Sequence, residues 1–288
     1  MTVQPTELPV SVSSQEPNEM GDIMVLVYHA IGWPEQRWRR TPTNFRRDLE
    51  RMYQSGYYPV NLIDVVRGNL DHVPQGRRPI VLTFDDSTVG QFRYLEDGTV
   101  DPECAVGAML AMHEQYGDDW PLRATFFILM EGVEEPGYPL FRQPESAVQK
   151  LQALVEWGME IGSHTVSHPY LSMIAPERIE WELAVSQDRI EALLPGYEVR
   201  SLSVPFGSYP GDASILGWGH SETTDLYYQY EAAVRVEGGP APSPFSPDFR
   251  PLSIPRVQAI QSQLDSWFSY FEQHPERYYV SDGLPVPN

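Results

Sequence analysis

Cysteine is almost missing from this chain: Cys104 is the only one in 288 residues. No intrachain disulfide can form, no metal site built on several cysteines is available, and the redox compartment stays open. Positive charge is scarce as well. The 20 basic residues stand against 40 acidic ones, for a formal net charge of −20 and a pI near 4.6. Long-range repulsion then opposes association with nucleic acid or an anionic membrane, whereas a neutral or cationic substrate suits such a surface. Every basic residue except Lys150 is arginine, a bias from which no function follows. No apolar run reaches the roughly 18 residues needed to span a bilayer, and residues 1–22 lack the charged and apolar regions of a signal peptide. Internal repeats, a phosphate loop and a nucleophile elbow are also absent.

What is present fits one enzyme-sized domain. A chain of 288 residues that is 41% hydrophobic can bury a large core. Thr2 to Glu19 is rich in Pro, Ser, Thr, Gln and Glu, so a flexible leader is expected over residues 1–22 and a domain over 23–288. The leader suits equally a cytoplasmic protein with a ragged start and an exported mature form that has lost its signal.

From Ile23 onward β-runs alternate with helical patterns, which predicts parallel strands joined by crossover helices. Ile23 to His29 reads as the first strand, and Thr43 to Gln54 as a helix with a capping Thr and apolar Phe45, Leu49 and Met52. Tyr58 to Leu62 leads into a short helix over Ile63 to Gly68. A strand at Ile80 to Phe84, a helix over Ala105 to Gln115 and a strand over Ala124 to Leu129 follow. The helix predicted over Ser146 to Gly158 carries Val148, Leu151, Leu154 and Val155 on one face. After a strand ending in Ile161-Gly162-Ser163, a helix runs from about Pro176 to Leu194. Later strands are expected over Ser201 to Val204, Glu231 to Val236 and Leu252 to Ile254, then a helical pattern over Ile260 to Phe271. Such alternation can close as a barrel or stay open as a doubly wound sheet, and periodicity does not choose.

Two stretches carry the chemistry. Ile80-Val81-Leu82-Thr83-Phe84-Asp85-Asp86-Ser87 is an apolar strand ending in adjacent carboxylates. Ile161-Gly162-Ser163-His164-Thr165-Val166-Ser167-His168-Pro169 supplies two imidazoles. Two neutral imidazoles and one carboxylate form a set of three ligands that leaves positions on zinc or a similar ion open to water and substrate. The other carboxylate is free to act as a base. Strand side chains alternate between faces, but where the strand breaks into a loop both aspartates can face one cavity.

These stretches resemble the T-F-D-D-G and H-[ST]-x-x-H-P motifs of the NodB-type polysaccharide deacetylases, carbohydrate esterase family four. The resemblance covers roughly residues 23–260. It implies a distorted (β/α) barrel, usually of seven strands, in a single domain. By position it makes Asp85 the catalytic base and Asp86, His164 and His168 the metal ligands. Val204-Pro205-Phe206-Gly207 is similar to the family's R-x-P-[FY]-G, which assigns the Phe206 backbone N–H to the oxyanion.

The chain departs from the family pattern at three places. Ser87 stands where Gly is usual, and Ser203 stands where an arginine normally orients the base. The C-terminal L-x-H that contributes a general-acid histidine is not recognisable. A substitute guanidinium is expected from Arg256, at a late strand end, or from Arg93, in the loop after the aspartates. His29, at the end of the first strand, is the leading candidate for a further site imidazole, ahead of His220 and of His274. Residues 87–123 hold more than a barrel crossover needs, with the Asp97-Gly98 turn of a hairpin inside them. The Pro-rich run from Gly238 to Pro247 is read as a loop over the barrel mouth or a connector. Trp218 and Tyr209 could stack on a sugar face.

The resemblance implies a metal-dependent hydrolase removing N- or O-acetyl groups from a carbohydrate. Zinc is the expected ion, with cobalt, iron and manganese as alternatives for the same donor set. A carbohydrate-binding pseudoenzyme that has lost turnover, and a hydrolase of a non-sugar amide, are the other readings. Substrate identity, general acid, oligomeric state and compartment are left open by the sequence.

Overall fold

The computed structural model describes residues 16–131 and 140–284. The first strand, β1 (Val25–Tyr28), is followed by α1 (Pro42–Gln54), β2 (Tyr57–Val60), α2 (Leu62–Val66) and β3 (Arg78–Phe84). Next come α3 (Ala105–Tyr116), β4 (Thr125–Ile128), α4 (Ala147–Glu156), β5 (Glu160–Ser163) and α5 (Pro176–Leu193). The chain ends with β6 (Ser201–Ser203), β7 (Ala232–Val234), β8 (Val257–Gln258) and α6 (Gln261–Gln273). All eight strands join one sheet in the order β7-β6-β5-β4-β3-β1-β8, with β2 attached to β3. Every pairing is parallel.

Curling brings the two ends of this sheet together. Val234 of β7 bridges Ile254, three residues before β8, so the order closes into a ring: the distorted (β/α) barrel. Val81 pairs with both Val25 of β1 and Val60 of β2, which places β2 on the edge of β3 that β4 also uses. All seven residues of β3 are buried. A continuous apolar run of this kind is what a strand covered on both faces requires. Tyr28, Phe84 and Phe126 stack outward from consecutive strands, and Phe45 of α1 packs edge-on against Tyr28 and Phe84. The inward positions are then left to Thr83 and Asp85.

Several predicted elements move. Helix α1 begins at Pro42, capped by Thr41, whose hydroxyl accepts from the Asn44 N–H at 3.2 Å; proline at the first helical position and a threonine cap explain the boundary. In α4 the buried face is Ala147, Lys150, Leu151 and Leu154, and Val148 is exposed. Counting Lys150 as polar had rotated the expected face by a residue. The strand expected over Leu252 to Ile254 is a turn over Pro251–Ser253, and pairing with β1 begins only after Pro255, which has no N–H to give. A hairpin not expected from the sequence, Trp218–Ser221 with Leu226–Gln229, leads into β7.

The Pro-rich run does not cover the mouth. Ala241 exchanges backbone hydrogen bonds with Ile23, just before β1 begins, at 2.8 and 2.9 Å, so this connector lies at the amino end of the barrel. The hairpin at Asp97-Gly98 is present, closed by Tyr94 and Val100. Of the leader expected over residues 1–22, residues 1–15 lie outside the described residues, while Asn18 and Asp22 are bridged to Val280 and Tyr278.

Candidate metal and acyl-transfer site

Strict alternation along β3 would send Asp86 outward after Phe84 and inward-facing Asp85. The chain prevents this by leaving the strand in left-handed backbone, with φ of 77° at Asp86 and 51° at Ser87. Glycine is the easy residue at such angles. Ser87 is held there instead: its hydroxyl accepts from the Leu129 N–H at 3.1 Å and its carbonyl from the Phe141 N–H at 2.7 Å. Both aspartates thus stay at the carboxyl end of the barrel.

Asp85 is saturated with donors. The Arg256 guanidinium meets it end-on, Nη1 to Oδ1 at 2.8 Å and Nη2 to Oδ2 at 2.7 Å, and the Ser203 hydroxyl donates to Oδ2 at 2.9 Å. Arg256 is itself fully used. Nη1 also donates to the Thr83 hydroxyl, Nη2 to the Ser203 hydroxyl, and Nε to the Arg235 carbonyl, so five N–H groups have five acceptors. Burial alone would raise the Asp85 carboxyl, but the Arg256 charge and its hydrogen bonds, helped by His164 and His29, hold it well below the usual range. Asp85 is therefore a fixed carboxylate.

Asp86 is the opposite case. Its Oδ1 is buried and accepts no hydrogen bond, while Nε2 of His164 and of His168 lie 3.3 and 3.6 Å away. The two Nε2 atoms are 3.1 Å apart. The ring orientation is set from behind: His164 Nδ1 lies 2.8 Å from the Ser203 carbonyl, which can only accept, so Nδ1 carries the proton and the Nε2 lone pair points inward. His168 is pushed down to about 4 by burial and by neighbouring His164, which keeps it a neutral donor. Burial lowers His164 too, but Asp85 and Asp86 outweigh it and its value is raised. The ligand atoms of Asp86, His164 and His168 lie within 4.8 Å of one another. An orphaned carboxylate oxygen facing two imidazole nitrogens fits a divalent cation.

The loop between the histidines depends on a residue that the motifs do not name. Thr165 and His168 have φ of 68° and 56°, unfavourable for side chains of their kind. The buried Glu182 carboxylate of α5 accepts from the Val166 and Ser167 N–H groups, both at 2.9 Å, and from the Ser167 hydroxyl. Arg178, one turn earlier, donates to it at 2.7 Å. The sequence signal was a carboxylate in the stripe Ile179, Leu183, Ser186, Ile190, where α5 turns its buried face to the barrel. Gln91 was also missed; its amide donates to the carbonyls of Asp85 and His29 and ties β1 to β3.

The other predicted residues divide. Arg93 is half-exposed and pairs with buried Asp101, so it is not the substitute guanidinium. The His29 ring packs at 4.6 Å from Trp38; burial lowers its pKa despite the charges of Asp85 and Asp86 nearby, leaving a neutral imidazole. His220 pairs with Asp225 on the outer hairpin, and His274 caps α6 beside Glu276; neither is joined to the aspartates or histidines of the site. Phe206 sits in left-handed backbone, φ 58° and ψ 5°. The turn around it is closed by Gly207 N–H to the Val204 carbonyl and Ser208 N–H to the Pro205 carbonyl, and the Phe206 N–H takes part in neither bond. Tyr209 donates to the Ala233 carbonyl, and Trp218 lies exposed on the hairpin.

Known proteins resemble this chain in sequence and in fold. The profile of the polysaccharide deacetylase family matches residues 72–216. A chitooligosaccharide deacetylase of Bradyrhizobium sp. (strain ANU 289) is 27% identical over 149 residues, 51% of this chain and 54% of that protein; the chain thus spans about half the length of this curated relative. The Streptococcus pyogenes deacetylase PplD, solved with acetate, superposes with a TM-score of 0.62 at 20% identity, covering 87% of this chain and 98% of that one. IcaB from Ammonifex degensii superposes at 0.60 with 17% identity over 87% and 97% of the two chains. These two likenesses establish the shared fold. No helix among the described residues is long and apolar enough to cross a membrane.

Proposed function

The chain belongs to the polysaccharide deacetylase family, and on that premise we propose that it is a metal-dependent hydrolase that removes N- or O-acetyl groups from a carbohydrate. The observation that carries this reading is the contrast at the strand end, where Asp85 has every oxygen bonded and the adjacent Asp86 offers a bare Oδ1 to two imidazoles. A divalent ion held by Asp86, His164 and His168 supplies, when bound, Lewis acidity toward an acetyl carbonyl and toward water. Zinc suits the donor set first; cobalt, iron and manganese are the alternatives.

The chain's own residues do the rest. Asp85, fixed by Arg256 and Ser203, takes a proton from the water that attacks the acetyl carbon. The new carbon–oxygen bond forms as the carbonyl becomes an oxyanion, to which the Phe206 N–H donates. Collapse breaks the bond to the sugar nitrogen or oxygen, the proton taken up by Asp85 passes to that leaving atom, and acetate and the free amine or alcohol are released. His29 flanks the carboxylates from the β1 side as a neutral imidazole. A binding-only protein was suggested by the missing arginine at Ser203, and Arg256 supplies that guanidinium from β8's approach.

Acetate release from a panel of acetylated glycans, with each candidate metal supplied in turn and a chelated control, tests the reading. Oligomers of N-acetylglucosamine head the panel because a relative is named for chitooligosaccharides. Release that requires a metal is the expected result. Metal-loaded protein that binds glycans and releases no acetate would return the binding-only reading.

A further inference from the structure

The strand ladder that carries the site stops one rung short of it. In the parallel pairing of β1 with β3, the Asp85 N–H donates to the Tyr28 carbonyl at 3.0 Å, and the register ends with Tyr28 opposite Phe84. The evenly spaced bonds of a parallel pair would next bring the Ala30 N–H to the Asp85 carbonyl. That N–H goes elsewhere, to the Trp38 carbonyl at 3.0 Å. The Asp85 carbonyl is thus left without its rung, at the point where the Asp85 side chain lies close enough to act on the His29 imidazole.

Gln91 takes the vacant place. Its side chain is buried, and its Nε2 donates to the Asp85 carbonyl and, at 2.9 Å, to the His29 carbonyl. Both N–H groups of the amide are therefore spent on joining the two strand ends. The glutamine is itself held from three sides. Its own N–H donates to the Thr88 carbonyl at 3.0 Å, and the carbonyls of Gly90 and Gln91 accept from the Ala105 and Val106 N–H groups at 2.9 and 3.0 Å. Those two are first-turn amides of α3, which have no acceptor within the helix. Gly90 lets the loop lie flush on the chain just after His29, since a Cβ there would stand 1.8 Å from the Ile31 carbonyl.

We propose that Gln91 is a positioning residue for the hydrolysis: in place of the missing rung it fixes Asp85 against His29, so that carboxylate and imidazole approach one acetyl group from set directions. It touches neither substrate nor ion and acts through the two backbones. This role rests on the deacetylase reading. Its scale follows from geometry, because a misplacement of about 1 Å in a catalytic group costs about a hundredfold in rate. Among the described residues, no other backbone bond joins the two strand ends past Tyr28.

Gln91→Met keeps the length of the side chain and removes both donors, which tests the role on the zinc-loaded full chain with the hexamer of N-acetylglucosamine. kcat for acetate release is expected to fall about ten- to hundredfold, with KM within about twofold of wild type. Zinc content per chain should be unchanged, which shows that the loss is not a loss of folded sites. The proton–nitrogen correlation signals of the His29 ring, assigned by their disappearance in His29→Gln, should move or split in Gln91→Met. Gln91→Asn keeps the amide but is one methylene short; it should show the same changes to a smaller degree, and it carries the test if Gln91→Met does not fold. A lower melting temperature with kcat and the His29 signals at wild-type values would make Gln91 a structural tie only and overturn the proposal, as would a fall in kcat with the His29 signals unmoved. Acetate absent from the wild type would end the hydrolase reading, and the placement of His29 by Gln91 would then be upheld by moved signals and overturned by unmoved ones.

Discussion

Asp85 and Asp86 are neighbours in the chain, identical in chemistry and set at the end of the same strand, yet the fold treats them in opposite ways. Asp85 receives a bidentate guanidinium and a hydroxyl; Asp86 receives two imidazole nitrogens, and its Oδ1 accepts nothing. A buried carboxylate must be compensated. At Asp85 the protein supplies the compensation as donors, which fixes the group as an ionised carboxylate. At Asp86 lone pairs converge on one point, an arrangement that favours a cation from outside. Two residues in sequence thus reach different surroundings because one follows the strand's inward direction and the next is turned by left-handed backbone.

Removing a lone pair from the Asp86 side should have the largest effect. His164→Ala is expected to abolish retention of zinc in elemental analysis and to lower acetate release on the order of a thousandfold or more, since several kcal/mol of charge stabilisation are lost. Far-UV circular dichroism should stay near wild type, because a barrel of this size does not depend on an ion to fold. Full metal content in this variant would break the comparison at its root.

Asp85→Asn addresses the other half. Shape is kept and the base is removed, so hydrolysis should fall by about a hundredfold to ten-thousandfold while zinc stays bound. Loss of metal in Asp85→Asn together with its retention in Asp86→Asn would exchange the two roles.

The sequence made the two sides unequally visible. The donor set was legible because its members sit in two short stretches, each directly after an apolar strand. The strand and helix order was legible from periodicity. Arg256 could be placed only as one of two candidates, because its partner Asp85 is brought to it by closure of the ring between Val234 and Ile254, a pairing that no local pattern announces. Ser203 reads as a missing arginine in sequence; in the fold it is a donor to the same carboxylate and an acceptor for the arginine that replaced it. Glu182 was hidden for another reason: a carboxylate on a helix is usually a solvated charge, and only the tertiary fold shows it fully buried against the histidine loop.

Glu182 sharpens the comparison, since it acts on the ligand side through the backbone. In Glu182→Gln one side of the carboxylate becomes an NH2 group facing existing donors, so a hydrogen bond at Val166, Ser167 or Arg178 is lost. Loosening the loop should weaken zinc by about ten- to hundredfold, the usual size for groups that orient ligands. Competition against a chromogenic chelator measures it. Affinity equal to wild type would mean that the loop holds His168 without Glu182.

The smallest effect concerns a buried cation with no carboxylate fork, the counterpart of Arg256. Lys150 is fully buried, its ammonium donating to Gln143 Oε1 at 2.5 Å and lying 5.5 to 5.7 Å from the ring centres of Phe92, Tyr94 and Phe141. Burial pushes its pKa down to about 8, against weaker upward effects of Cys104 and Glu145. The folded value lies below the unfolded one, so protonation favours the unfolded chain. The resulting penalty is absent above the unfolded pKa of roughly 10.4, grows as pH falls toward about 8, and is constant below that. Lys150→Met should therefore be more stable than wild type at neutral pH by about 1–3 kcal/mol, the loss of the amide bond and ring contacts being set against the relief of the buried charge. That advantage should shrink between pH 8 and pH 10 in urea unfolding followed for both proteins. A difference that stays the same across this range would mean that Lys150 remains charged in the fold, held by the three rings as firmly as Arg256 is held by Asp85.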